Sequence, residues 1–134
     1  MIIFKTINNF RTRLKELLSV RKSVYANVPN EIKQEFEHAD IEKIRHNRDM
    51  ILIQDDTIIV KLRLPDKRQQ LSKANGYRLV YMVSTIFERV VFLDIFPKRG
   101  PLQQLDISRT ELIRLLNEFR DENERGVLED YQFD

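Results

Sequence analysis

Cysteine and tryptophan are absent from this chain, and histidine occurs only twice in its 134 residues. Without cysteine there is no disulfide, no thiolate nucleophile and no thiol metal ligand, a composition that fits a reducing compartment. His38 and His46 have no cysteine beside them and no metal-type spacing, so neither a zinc site nor any other cofactor is expected. Three glycines leave no room for long flexible linkers, and neither a Gly-rich phosphate loop nor a G-x-S-x-G elbow occurs. No apolar run approaches the length of a membrane-spanning helix. The opening Met1-Ile2-Ile3-Phe4-Lys5 lacks the basic-then-apolar pattern of a signal peptide, so the expected address is the cytoplasm, with no membrane partner.

What is present is charge, unevenly placed. The formal net charge is +2. Residues 57–100 hold nine basic and three acidic side chains, a net of +6, whereas residues 101–134 hold four basic and nine acidic, a net of −5. The middle of the chain therefore reads as an anion-binding surface, and the end as an acidic element. The length suits one core. One domain is expected over residues 1–120, with an acidic, loosely docked tail over 121–134.

Periodicity outlines the elements. Ile2 to Ile7 reads as a short strand, and Asn8 or Asn9 as the cap of a helix with Phe10, Leu14, Leu17 and Leu18 on one face. Asn27-Val28-Pro29 opens a second helix, with Ile32, Phe36 and Ala39 as its stripe, giving an antiparallel helix pair. Ile41 to Asn47 fits neither period. Met50–Ile53 and Thr57–Leu64, joined at Gln54-Asp55-Asp56, read as a hairpin. In its second strand Ile58, Val60, Leu62 and Leu64 share one face, and Lys61 and Arg63 the other. Pro65 ends that strand because it has no N–H to give the ladder. Two further strands span roughly 77–84 and 89–96. Ser108-Arg109-Thr110-Glu111 is a capping box opening a helix through Leu112, Leu115, Leu116 and Phe119. The fold class is α+β: an antiparallel sheet carrying two N-terminal helices and a C-terminal helix.

Candidate chemistry lies in the basic middle. Lys61 and Arg63, Lys73 in the loop Leu71-Ser72-Lys73-Ala74-Asn75-Gly76, Arg78 after Gly76-Tyr77, and Lys98-Arg99 after a strand end could converge on one surface. Cleavage of RNA without a metal needs a base for the 2′-hydroxyl, charge to neutralise the phosphorane, and an acid for the leaving 5′-oxygen. With no histidine nearby, a lysine whose pKa is lowered by neighbouring cations could serve as base while arginines clamp phosphate. Arg78 either reaches such a cleft or pairs with Asp94. Tyr77 and Tyr81 share a face with Leu79 and read as core.

The runs Val60-Lys61-Leu62-Arg63, Gly76-Tyr77-Arg78-Leu79-Val80-Tyr81 and Val90 through Arg99 resemble the RelE/HigB family of bacterial type II toxin–antitoxin modules. The resemblance covers about residues 57–119 through these motifs and residues 1–56 through element order. It implies a RelE-like fold and a metal-independent endoribonuclease that cleaves mRNA on the ribosome, held in check by a cognate antitoxin. It further implies Lys61 as general base, Arg78 on the scissile phosphate and Arg99 at the transition state or leaving group. Arg63, Lys73 and Lys98 would contact RNA. Two departures accompany it: Ile59 and Leu105 stand where one branch carries a further lysine and a base-stacking tyrosine. A non-catalytic, ParE-like relative acting by protein contact, or a general RNA-binding module, is the alternative.

Overall fold

The computed structural model describes residues 1–46, 50–54 and 56–133; Asn47 and Asp55, which figured in the expected elements, and Asp134 lie outside the described residues. The chain opens with strand β1 (Ile3–Thr6), then helix α1 (Asn8–Leu18), a 3-10 turn at Arg21–Ser23, helix α2 (Val28–Phe36) and short helix α3 (Ile41–Arg45). Strands β2 (Met50–Gln54), β3 (Thr57–Leu64), β4 (Tyr77–Ser84) and β5 (Arg89–Pro97) follow, then helix α4 (Arg109–Arg125) and strand β6 (Glu129–Asp130). All six strands form one sheet, in the order β2-β3-β4-β5-β1-β6.

The class is α+β, with one correction to the expected sheet. β2 through β5 run antiparallel, but β1 pairs with β5 in parallel, from Ile3 opposite Arg89 to Thr6 opposite Phe92, so the sheet is mixed. The connection from β1 to its parallel neighbour passes through the helices and the whole antiparallel run, which leaves β1 free to slot in beside the last long strand.

Alternation puts Ile58, Val60, Leu62 and Leu64 of β3 on the same side as their partners Val83, Tyr81, Leu79 and Tyr77 in β4. This side carries the aromatic core. Phe36 of α2 meets Tyr81 and Phe92 edge-on, each with ring centroids 5.3 Å apart, and Phe10 of α1 meets Phe92 at the same separation. The two helices thus converge on Phe92, each edge-to-face pair adding about 0.5–1.5 kcal/mol beyond simple burial. The tyrosine hydroxyls stay satisfied inside: Tyr81 donates to the Ile44 carbonyl at 2.7 Å and Tyr77 to Asp66 at 2.8 Å. α4 lies on the opposite side, where Leu115 is fully buried.

The acidic end of the chain is part of this architecture. Residues 121–125 are the last turn of α4, which Gly126 closes in a left-handed conformation at φ 68°. β6 then pairs antiparallel with β1, and Tyr131 and Phe133 cover Phe4, Phe10 and Phe92. The loose docking expected beyond Glu122 is replaced by strand pairing and aromatic burial. α4 also supplies what α1 lacks. Ile7 stands at the α1 N-cap and has no side-chain oxygen to offer. The free N–H groups of Asn8 and Asn9 instead donate to the carboxylates of Glu122 at 3.1 Å and Glu118 at 2.8 Å. Two anions at a helix N-terminus also favour its dipole.

Candidate nucleic-acid interface

Register decides which cations share a surface. Arg63 lies opposite Arg78, Lys61 opposite Val80, and Phe96 of β5 opposite Arg78, so Lys61, Arg63 and Arg78 project to the side away from the aromatic core. β5 ends at Pro97, and the N–H of Lys98 donates to the Gly76 carbonyl at 2.8 Å, which latches the strand exit to the loop before β4. Only glycine fits at position 76. A Cβ there would stand 2.1 Å from the Leu64 carbonyl oxygen, because the loop recrosses the end of β3 at backbone distance.

Arg78 is 7 % exposed. Its guanidinium donates to the carbonyls of Lys73 at 3.0 Å, Ala74 at 3.0 Å and Tyr77 at 3.2 Å, so it organises the 72–76 loop while leaving its charge beneath the surface. Asp94, the alternative partner considered for Arg78, forms an ion pair with Arg13 of α1 at 3.3 Å. Burial pushes the Asp94 carboxyl up, and Arg13 partly opposes it.

Lys61 is also engaged. Its ammonium forms a 2.8 Å ion pair with Oδ1 of Asp106, in the segment between β5 and α4. The Lys61 hydrogen bond holds the Asp106 carboxyl below the usual range. Lys98 donates to the carbonyl of Leu105 in that same segment. Partial desolvation, then the charges of Arg78, Lys61 and Arg99, lower the Lys98 ammonium pKa, with Asp106 acting in the other direction. Lys98 thus stands close to Arg78, Lys61 and Arg99, and Lys61 is held in a carboxylate ion pair.

The remaining expected residues lie around this centre. Arg99 is exposed and donates to the Asn75 side chain at 2.6 Å. Arg63 and Lys73 are exposed on β3 and on the loop. Together the six residues form a basic rim around the 72–76 loop and the exit of β5. The acids at the end of the chain pair elsewhere: Asp130 binds Lys5 at 2.7 Å and Glu129 binds Arg11 at 3.3 Å.

Three residues that sequence patterning passed over support the rim. Asp106 is an isolated acid in a segment with no periodicity. Tyr25 donates to the Arg99 carbonyl at 2.7 Å and accepts from the Leu102 N–H at 3.1 Å, pinning the turn that follows Lys98. Asp66 accepts from Tyr77 and from Gln69, tying the 66–71 loop to the start of β4. The signal for Asp66 was its position directly after Pro65. Tyr25, in a stretch without helical period, gave none.

His38 and His46 are exposed and lie next to Glu37 and Glu42. Among the described residues no His, Asp and Glu cluster is arranged to hold a metal, and no helix is long and apolar enough to cross a membrane. No protein-family model, curated protein or solved structure matches this chain.

Proposed function

We propose that this protein is a ribosome-dependent mRNA endoribonuclease of the RelE/HigB type, the toxin of a type II toxin–antitoxin pair acting in the cytoplasm. The observation that carries the reading is the convergence of Lys61, Arg78 and Lys98, from three successive strands or their ends, on one side of the sheet. The element order lends support without matching in full: the short strand, the antiparallel strand run and the following helix are those the family resemblance implies, whereas the third helix α3 and the closing strand β6 are additions to it.

In this reading the 2′-oxygen attacks the adjacent phosphorus, its proton passes to an amine, and the P–O5′ bond breaks with a proton delivered to the 5′-oxygen. The products are a 2′,3′-cyclic phosphate and a 5′-hydroxyl. Lys61 is held in its ion pair with Asp106, so Lys98, at the exit of β5 beside Arg78, is assigned the proton-accepting role here. Arg78 supplies fixed positive charge beneath the phosphate, and Arg99 the exposed guanidinium at the rim. A cognate antitoxin would cover this basic surface.

Arg78 also favours a second reading. With its guanidinium given to the carbonyls of Lys73, Ala74 and Tyr77, the same rim would serve a non-catalytic, ParE-like relative that acts through protein contact. Inducible expression of the wild type and Lys98→Met, with mapping of mRNA 5′ ends on translating ribosomes, separates the two. The nuclease reading expects growth arrest with new 5′-hydroxyl ends that Lys98→Met abolishes. Arrest without new ends excludes it and leaves the protein-contact reading.

A further inference from the structure

β2 is the terminal strand of the sheet, and among the described residues no strand lies along its outer side. Its sequence begins Met50-Ile51-Leu52-Ile53, four apolar residues with no lysine or proline to discourage pairing. Soluble proteins normally blunt such an edge. Here Ile51 and Leu52 are each 40 % exposed, and Ile53 is 60 % exposed.

The apolar surface continues from the edge into a groove between β2 and α4. The groove consists of two recesses that meet at Leu52 and Leu116, with Ile113 in one and Phe119 in the other. Beside the Phe119 end, the turn from β4 to β5 projects Ile86 and Phe87, which are 74 % and 71 % exposed. The same side of the molecule thus bears an unpaired strand edge, an apolar recess and an apolar projection. Apolar surface of this extent and continuity marks an interaction site.

We propose that this face joins two copies of the chain in a two-fold dimer, β2 pairing antiparallel with β2 of the second copy. The charge on the rim selects that occupant. Arg109 lines the groove at the N-terminal end of α4, beside a Lys61 already paired with Asp106, whereas Asp56, Arg120 and Glu124 line the other end and leave it one negative charge in excess. Asp56 remains ionised far into acid, because the hydroxyls of Ser84 and Thr85 lower its pKa to about 2. A two-fold axis across β2 reverses the second copy, setting the basic end of one groove beside the acidic end of the other. The Ile86–Phe87 projection and the apolar recess stand on this same surface. An isologous interface requires such self-complementarity, with projection and recess on one surface. The groove shares Lys61 with the basic rim, but the substitutions that test it do not, since neither Ile53 nor Phe87 belongs to that rim.

Sedimentation velocity on the full chain, over a roughly hundredfold range of concentration, tests the assignment. The wild type is expected at twice the 16.1 kDa chain mass at the upper end. Ile53→Lys and Phe87→Asp are each expected to shift it to the monomer, with far-UV circular dichroism and melting temperature retained. A wild type that stays monomeric throughout overturns the proposal. So does a dimer that survives both substitutions in folded protein. If one variant fails to fold, the other decides.

Discussion

Asp106 places a carboxylate oxygen 2.8 Å from the Lys61 ammonium, at the position where an anionic ligand of the basic rim would otherwise find its counter-charge. The pair is partly open to solvent: the Lys61 side chain is 24 % exposed and that of Asp106 is 60 % exposed. It can therefore exchange for a phosphate at small cost.

Asp106→Asn removes the internal competitor while keeping the shape of the side chain. Affinity for single-stranded RNA is expected to rise by roughly twofold to fivefold, the range of a partly exposed ion pair of up to about 1 kcal/mol. Fluorescence anisotropy at two salt concentrations measures this. Unchanged or weaker binding would mean that RNA does not use Lys61.

Arg78→Lys is not conservative here, because one ammonium cannot span the carbonyls of Lys73, Ala74 and Tyr77 as the planar guanidinium does. A loss of about 2–4 kcal/mol is expected from the broken charge-assisted bonds. Faster amide exchange should be confined to residues 72–76. Urea denaturation and hydrogen exchange read the two effects, and a variant with wild-type stability would refute the structural role of Arg78.

Tyr131→Ala tests whether the acidic end of the chain is structural. The ring packs edge-on against Phe92 at 5.1 Å and Phe10 at 5.8 Å, so truncation is expected to cost about 2–4 kcal/mol. RNA affinity of the folded variant should not change, since the neighbouring acids pair with Lys5 and Arg11 rather than with the rim. Equal stability by chemical denaturation would restore the picture of a dispensable tail.

Glu122 gives a pH signature. Burial, opposed by the Asn8 N–H and by Arg11 and reinforced by Glu118, raises its pKa in the folded state. The folded protein therefore keeps the Glu122 proton at pH values where the unfolded chain has lost it. The stability this provides is fully present below the ordinary carboxyl pKa and declines as pH rises through the raised value. Buried Asp94 contributes with the same sign. Glu122→Gln keeps an acceptor for the Asn8 N–H and removes the buried charge. It should equal or exceed wild-type stability at neutral pH and flatten the decline. Glu122→Ala, which strands that N–H, should cost about 1–3 kcal/mol. Melts from pH 4 to pH 8 would expose an error if Glu122→Gln proved as damaging as Glu122→Ala.

The long strands were legible because their signals are local. Pro65 stops β3, Gly76 precedes β4, and Ile58, Val60, Leu62 and Leu64 recur at alternate positions, broken only by the buried Ile59. The start of α4 was equally plain, since Ser108 accepts from the Glu111 N–H at 3.0 Å as its motif implies, although the Glu111 carboxylate goes to Arg114 instead of returning to Ser108. The parallel entry of β1 was not legible, because four residues carry no information about the direction of a distant neighbour. Nor was β6: Glu129 and Asp130 are both charged, and only their pairing with β1 makes them a strand. The α1 cap was sought in Asn8 and Asn9, but the acceptors come from α4, more than a hundred positions away. At the site, the cations were visible one by one. Their occupation by Asp106 and by loop carbonyls depends on where the 72–76 and 100–107 segments fold back, which no local pattern encodes.

The position of β1 between β5 and β6 has a consequence for how the molecule is made. Thr6 donates its hydroxyl to the Glu129 carbonyl across 123 positions of sequence, so β1 waits for a segment far downstream to close its outer edge. Until residues 129–133 emerge, a nascent chain holds Phe4, Phe10 and Phe92 without the aromatic cover they have in the finished fold. Contacts of such long range slow the final folding step and leave an adhesive edge exposed while it is pending. Completion of the sheet is thus tied to the emergence of residues 129–133.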